Sequence, residues 1–202
     1  MVRVKICGIT NIEDALTAIA AGADALGFVF HDESPRRVAP DEAAGIIAAL
    51  PPLIQTVGLF VNRPLAFVNE TAARCRLDLV QLHGDEPPEF CDAVERRVIK
   101  AFRVRDITSL DPIRHYRVTA HLLDAYSPTA YGGTGLTFNW DIAAAAKEFG
   151  PVILAGGLTP DNIREAVEAV NPYAVDVSGG VESAPGRKDP DKVREFIRRA
   201  KA

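Results

Sequence analysis

"VKICGITNIEDALTAIAAG", running from Val4 to Gly22, joins a short apolar run, an abrupt cysteine and glycine, and a helical pattern with both boundaries marked. Asn11 stands where a side-chain oxygen caps the first turn of a helix, and Gly22 is a natural terminator. The turn between strand and helix discriminates between two architectures. An open doubly wound sheet built for a dinucleotide would carry a glycine-rich turn here, and "CGIT" is not one.

Outward from this unit the same alternation recurs. Strands are expected to begin near Arg3, Asp24, Gln55, Asp78, Val98, His121, Val152 and Ala174, with amphipathic segments between them. Eight such units, repeating every ~20 to 30 residues, predict an α/β fold: a single-domain (β/α)8 TIM barrel over residues 1–202. Thr159 and Pro160 are expected to open a helix over "PDNIREAVEAV". "GDEPPEFCDAVERR" is expected to form another, with acids and prolines first and arginines last, as the helix dipole favours. The fifth helix, around Thr108 to Arg117, is blurred by proline and polar residues.

Composition narrows the function classes. The chain has 202 residues, 48% hydrophobic and 25% charged, enough for one domain with its own core. Its net charge is −4, and no basic block interleaved with aromatics appears, so no nucleic-acid partner is expected. Cys7, Cys75 and Cys91 are odd in number, without a C-x-x-C pair or metal-type spacing to histidine. No signal-type leader or long apolar stretch is seen, so a reduced cytoplasmic protein with no membrane partner is expected, as monomer or homodimer.

Barrels of this class place their chemistry at the carboxyl ends of the strands, on side chains turned into the lumen. Period-two alternation then sends Val2, Val4 and Ile6 outward and Lys5 and Cys7 inward. It likewise turns Gln81 and His83, Asp124, and Asp176 and Ser178 inward. Polar groups from distant parts of the chain converge on one mouth, which packing does not require. An isolated cysteine is more often packing than chemistry. Its strand-end position beside converging acids makes Cys7 a candidate, whereas Cys75 and Cys91, in helical segments, read as packing residues.

"LAGGLTPDN" and "DVSGGVESAPG" follow the seventh and eighth strands, where barrel phosphate sites are frequently built. Gly156, Gly157, Ser178, Gly179 and Gly180 are therefore expected to cradle the phosphate of a small molecule. In the loop after the second strand, "HDESPRRVAP", Arg36 or Arg37 offers a planar fork for a carboxylate.

"KICGIT", "SPRRV", "GLFVN", "VQLHGDE", "LLDA", "GGTG", "LAGGLTPDN" and "VDVSGGVESAPGRKD" together resemble the phosphoribosylanthranilate isomerase family, in order from Val4 to about Asp189. The resemblance implies a tryptophan-biosynthetic Amadori rearrangement of N-(5-phosphoribosyl)anthranilate that uses neither metal nor organic cofactor. By the family's motif it implies Cys7 as general base, Asp124 as general acid and Arg36 as binder of the anthranilate carboxylate. It also places His83 and Asp176 in the pocket lining. Two departures stand out: "DVSGGVE" where members commonly read "DVSSGVE", and "FNW" at Phe138 to Trp140 where "FDW" is common.

For the base to act, positive charge or backbone dipoles near Cys7 are expected to favour its thiolate. Lys5 is the local candidate, and because the first and eighth strands adjoin in a closed barrel, Lys5 can instead pair with Asp176. Burial or a nearby negative charge would keep Asp124 able to donate. Two rivals remain open: another phosphosugar barrel, of the ribulose-phosphate epimerase or indole-glycerol-phosphate synthase type, and a non-catalytic phosphosugar-binding barrel. The epimerase would need metal-ligand histidines at strand ends, where only His83 and His121 lie near strands, and the synthase lysine and glutamate at the mouth.

Overall fold

The computed structural model describes residues 1–126 and 137–202, so the "GGTG" stretch at 132–135 lies outside the described residues. Eight strands form the wall: β1 (Arg3–Cys7), β2 (Ala25–Val29), β3 (Gln55–Phe60), β4 (Leu79–Leu82), β5 (Arg97–Val104), β6 (Ala120–Ala125), β7 (Val152–Leu154) and β8 (Ala174–Val177). All pair in parallel in chain order, and β8 returns to β1 to close the barrel, with Lys5 in register with Asp176. Each expected strand start lies within one residue of the observed one.

Seven α-helices cover the outside among the described residues: α1 (Ile12–Ala20), α2 (Pro40–Ala48), α3 (Leu65–Arg74), α4 (Pro88–Asp92), α5 (Trp140–Ala145), α6 (Ile163–Val170) and α7 (Pro190–Lys201). Asn11 caps α1, its side-chain oxygen accepting the Asp14 N–H at 2.8 Å, and Gly22 follows with φ +99°. Asn139 of "FNW" caps α5 in the same way, accepting the Asp141 N–H at 3.0 Å. The blurred segment after β5 holds two 3₁₀ turns, Ile107–Leu110 and Ile113–His115, in place of a helix.

Two helix boundaries differ from expectation. α4 stops at Asp92, and its anticipated basic end is displaced: Arg97 already opens β5. A loop this short cannot carry both a four-turn helix and an eight-residue strand. α6 begins at Ile163, not at Pro160, because Thr159 and Asn162 exchange local bonds in a turn before it. The Thr159 N–H reaches Asn162 Oδ1 at 2.8 Å, and the Ile163 N–H reaches the Thr159 carbonyl at 3.1 Å.

Apolar side chains divide between two regions. Outward residues such as Val4, Ile6, Phe28, Phe60, Val80 and Leu123 pack against helix faces such as Val193, Phe196 and Ile197 of α7. Each fully buried side chain of this size contributes roughly 1.5–3 kcal/mol. Inward residues Val57, Leu79, Ile99, Ala101, Leu122, Ile153 and Ala174 plug the barrel. Along β4, β6 and β8 the inward positions then change character towards the carboxyl ends: Leu79 gives way to Gln81, Leu122 to Asp124, Ala174 to Asp176. The plug thereby becomes the floor of a polar mouth.

Candidate active site

A cavity of about 350 Å³ opens above that floor, and it is lined by Cys7, Arg36, Gln81, His83, Asp124, Gly156, Gly157, Asp176, Ser178, Gly179 and Gly180. Cys7, Asp124, Arg36 and the glycine-loop residues expected from the sequence thus share one mouth with Gln81, His83 and Asp176, while Arg37 and Lys5 do not line it. The volume suits one small organic molecule.

Cys7 ends β1 with its side chain buried beside Val29, Leu59 and Val61. Room for it comes from Gly27 on β2, where a Cβ would stand 2.7 Å from the sulfur and 3.0 Å from Lys5 Cε. Lys5, two residues back, donates to Asp176 Oδ1 and to Gln81 Oε1, each at 2.9 Å. The pairing of Lys5 with Asp176 across the barrel seam is therefore present.

The expected thiolate is not favoured in this environment. Burial pushes the Cys7 thiol above its ordinary value, and the Lys5 and Lys188 ammonium groups, which pull it down, do not outweigh burial and the Asp176 carboxylate. Lys5 is itself held above the usual lysine range: burial opposes its charge, but Asp176 and Cys7 prevail. The cation that was expected to activate the thiol is largely compensated by Asp176.

Across the mouth Asp124, the penultimate residue of β6, is buried, with Oδ1 accepting the Ala125 N–H at 2.9 Å. Its other oxygen lies 3.3 Å from His83 Nε2. Gly156 makes this fit possible, because a Cβ there would stand 2.6 Å from the Ala125 nitrogen and 2.9 Å from Asp124 Oδ1. Gly156 and Gly157 both adopt positive φ, +86° and +60°, conformations that L side chains rarely take.

The loops after β7 and β8 lie against each other. A Cβ on Gly180 would collide with the Leu158 carbonyl oxygen, so glycine lets the two backbones meet. Ser178 Oγ is buried without a hydrogen-bond partner among the described residues, a hydroxyl left for a ligand. Gly179, at the position that departs from "SSG", leaves space for Arg36: a Cβ there would stand 3.0 Å from Arg36 Nη2.

Of the two loop arginines, Arg36 turns inward and Arg37 does not. Arg37 is exposed, 3.4 Å from Asp32, while the Arg36 stem crosses Gly8, just past Cys7, and reaches Glu182. Glu182 also meets the buried Lys188 ammonium at 2.9 Å, which in turn donates to the Cys7 carbonyl at 2.6 Å and the Ser178 carbonyl at 3.3 Å. Burial opposes ionisation of Glu182, but Arg36 and Lys188 outweigh it and hold its carboxyl below the usual range.

Sequence reasoning missed Glu182, Lys188 and Gly27. The first two sit in the antiparallel pair β9 (Glu182–Ala184) and β10 (Arg187–Lys188), which follows β8. Two opposite charges inside the glycine- and proline-rich "GGVESAPGRKD" were the available signal. Cys75 and Cys91 are buried free thiols away from the cavity, as expected of packing residues. Among the described residues no group of three or more His, Cys, Asp or Glu could hold a metal ion, and no helix is long and apolar enough to cross a membrane.

The family model for N-(5′-phosphoribosyl)anthranilate isomerase matches residues 4–199. The chain is 88% identical over 202 residues to N-(5′-phosphoribosyl)anthranilate isomerase of Geobacter metallireducens, covering 100% of both chains. It superposes on crystalline phosphoribosyl anthranilate isomerase from Thermotoga maritima with a TM-score of 0.94 at 44% identity, covering 100% of this chain and 99% of that one. A further crystal structure of the enzyme, in complex with reduced 1-(o-carboxyphenylamino)-1-deoxyribulose 5-phosphate, aligns with a TM-score of 0.91 at 42% identity and the same coverage.

Proposed function

The chain belongs to the N-(5′-phosphoribosyl)anthranilate isomerase family, isomerases of tryptophan biosynthesis, and from that premise we propose that Cys7 and Asp124 are the base and acid of the rearrangement. One observation carries this reading: a sulfur on β1 and a carboxylate on β6 line the same cavity as the paired glycine loops. Giving a proton to the ring oxygen and taking one from C2′ of a single sugar calls for an acid and a base on facing walls.

The substrate, N-(5-phosphoribosyl)anthranilate, is bound by its ends. Its phosphate lies against Gly156, Gly157, Ser178, Gly179 and Gly180, where backbone N–H groups and the unpartnered Ser178 hydroxyl are available. The aromatic ring rests on the apolar wall of Val29, Leu59 and Val61, with its carboxylate at Arg36. Fixing both ends holds the ribose between sulfur and carboxylate, which removes most of the orientational cost of the reaction.

Asp124 gives its proton to the ring oxygen as the C1′–O bond breaks, and the anthranilate nitrogen supplies electrons to form a protonated Schiff base. That cation acidifies C2′–H. The Cys7 thiolate removes this proton, the C2′ electron pair forms the enolamine, and the enolamine tautomerises to the 2′-ketone. The steps conserve all atoms and electrons, so they need no external redox partner.

Incubating the protein with phosphoribosylanthranilate and following loss of anthranilate-type fluorescence tests the reading. Conversion by the wild type, lost in Cys7→Ala, is expected. Binding without conversion would favour a phosphosugar-binding module instead.

A further inference from the structure

We propose that Lys5 and Gln81 act together to set the tautomer of His83, so that its Nε2–H is a fixed donor facing Asp124 Oδ2; the part that concerns catalysis rests on the acid role proposed for Asp124. Four strands contribute to one line of polar contacts across the mouth. It runs from Asp176 on β8 through Lys5 on β1 and Gln81 on β4 to His83 just beyond β4, and ends at Asp124 on β6.

The direction of every bond in this line follows from its first member. A lysine ammonium has only donors, so the Gln81 atom 2.9 Å from Lys5 Nζ is the carbonyl oxygen. The amide nitrogen must then be the atom 2.9 Å from His83 Nδ1. An amide nitrogen only donates, so Nδ1 accepts and the ring proton resides on Nε2. Lys5 is itself anchored by Asp176, and all five side chains are buried, which holds this order in place.

Nε2 is also a buried nitrogen with no hydrogen-bond partner among the described residues. It lies 3.3 Å from Asp124 Oδ2 but off line, while Oδ1 is occupied by the Ala125 N–H. Oδ2 is therefore the oxygen free to carry and release a proton. When Asp124 has given that proton to the sugar ring oxygen, Oδ2 becomes a charged acceptor, and a small ring rotation aligns Nε2–H with it. His83 and Gln81 are positioning residues in this scheme. Gln81 orients the ring and His83 stabilises the carboxylate once formed, without touching the reacting carbons.

The test reads the tautomer directly. In protein carrying ¹⁵N-labelled histidine, recorded about two units above the ordinary histidine value of ~6.5, His83 is expected to show a pyridine-like Nδ1 and a pyrrole-like Nε2. Gln81→Glu presents an acceptor to Nδ1 and is expected to move the proton there, lowering kcat about 10-fold or more with KM little changed. His83→Gln, which keeps a donor near the Nε2 position, is expected to retain more kcat than His83→Ala.

A wild-type spectrum with the proton on Nδ1 overturns the proposal. So does a Gln81→Glu protein whose His83 signals and kcat match the wild type. If Gln81→Glu does not fold, the wild-type spectrum alone decides. Unimpaired turnover in Asp124→Asn would refute the acid reading while leaving the tautomer assignment to stand or fall on the spectrum.

Discussion

Glu182 grips Arg36 with both carboxylate oxygens, Oε1 accepting from Nε at 2.9 Å and Oε2 from Nη2 at 2.8 Å. The fork sets the guanidinium plane beside the cavity that Arg36 lines. An arginine on a long loop is thereby ordered by protein contacts alone, and for the carboxylate role proposed for it this lowers the entropic cost of binding.

Arg36→Ala is expected to raise KM by about 10- to 100-fold, the scale of a lost hydrogen bond to a charged group, with kcat changed much less. Arg36→Lys should rescue little, since a point charge cannot serve Glu182 and a carboxylate together. Glu182→Gln should also raise KM, by a smaller factor. Because the Glu182 carboxyl is held low, its ionic contribution to stability is complete above the ordinary value of 4.5 and is lost as the pH falls below it. Steady-state kinetics and acid unfolding of the variants check both statements.

Cys7→Ala is expected to lower kcat at least ~100-fold with the fold intact. Burial raises the wild-type thiol, so the thiolate fraction is small at neutral pH and grows as the pH climbs. Accordingly kcat/KM should keep rising beyond the ordinary thiol value of ~8.5. A plateau reached below that value would mean that Lys5 outweighs burial, against the sign given above.

Asp124→Asn preserves shape and removes the transferable proton. A fall in kcat of ~100-fold or more is expected, with KM within a few-fold of wild type. A defect confined to KM would reassign Asp124 to binding.

Gly180→Ala places a methyl group against the Leu158 carbonyl and must part the loops that follow β7 and β8. A loss of about 1–3 kcal/mol in stability is expected, together with weaker inhibition by inorganic phosphate. Gly179→Ala should be milder, since its Cβ would meet only the movable end of Arg36. Thermal unfolding and phosphate inhibition constants compare the pair.

Most of the barrel was legible in the chain, because strands and helices are short-range patterns. Residues two apart share a strand face, so the inward set of Lys5, Cys7, Gln81, His83, Asp124, Asp176 and Ser178 could be read off, and all but Lys5 line the cavity itself. The failures were also local in origin. α4 and α6 start or stop where turns compete with the helix, and Thr159 and Asn162 are residues whose side chains offer such competing bonds.

Glu182 and Lys188 escaped notice for a different reason. Their worth depends on partners far along the chain, Arg36 at a separation of 146 residues and the Cys7 carbonyl at 181. No periodicity encodes such a meeting.

What the amino-acid order determined by itself was the repeating strand and helix units, the inward alternation and the glycines at the seventh and eighth strand ends. Only the closed tertiary structure decided that Lys5 belongs to Asp176 and Gln81, that Arg36 is preset by Glu182, and that the Cys7 thiol is raised. Alternation is a property of covalent neighbours, whereas charge pairing and desolvation depend on through-space distance and on how much of the whole chain excludes water from a point.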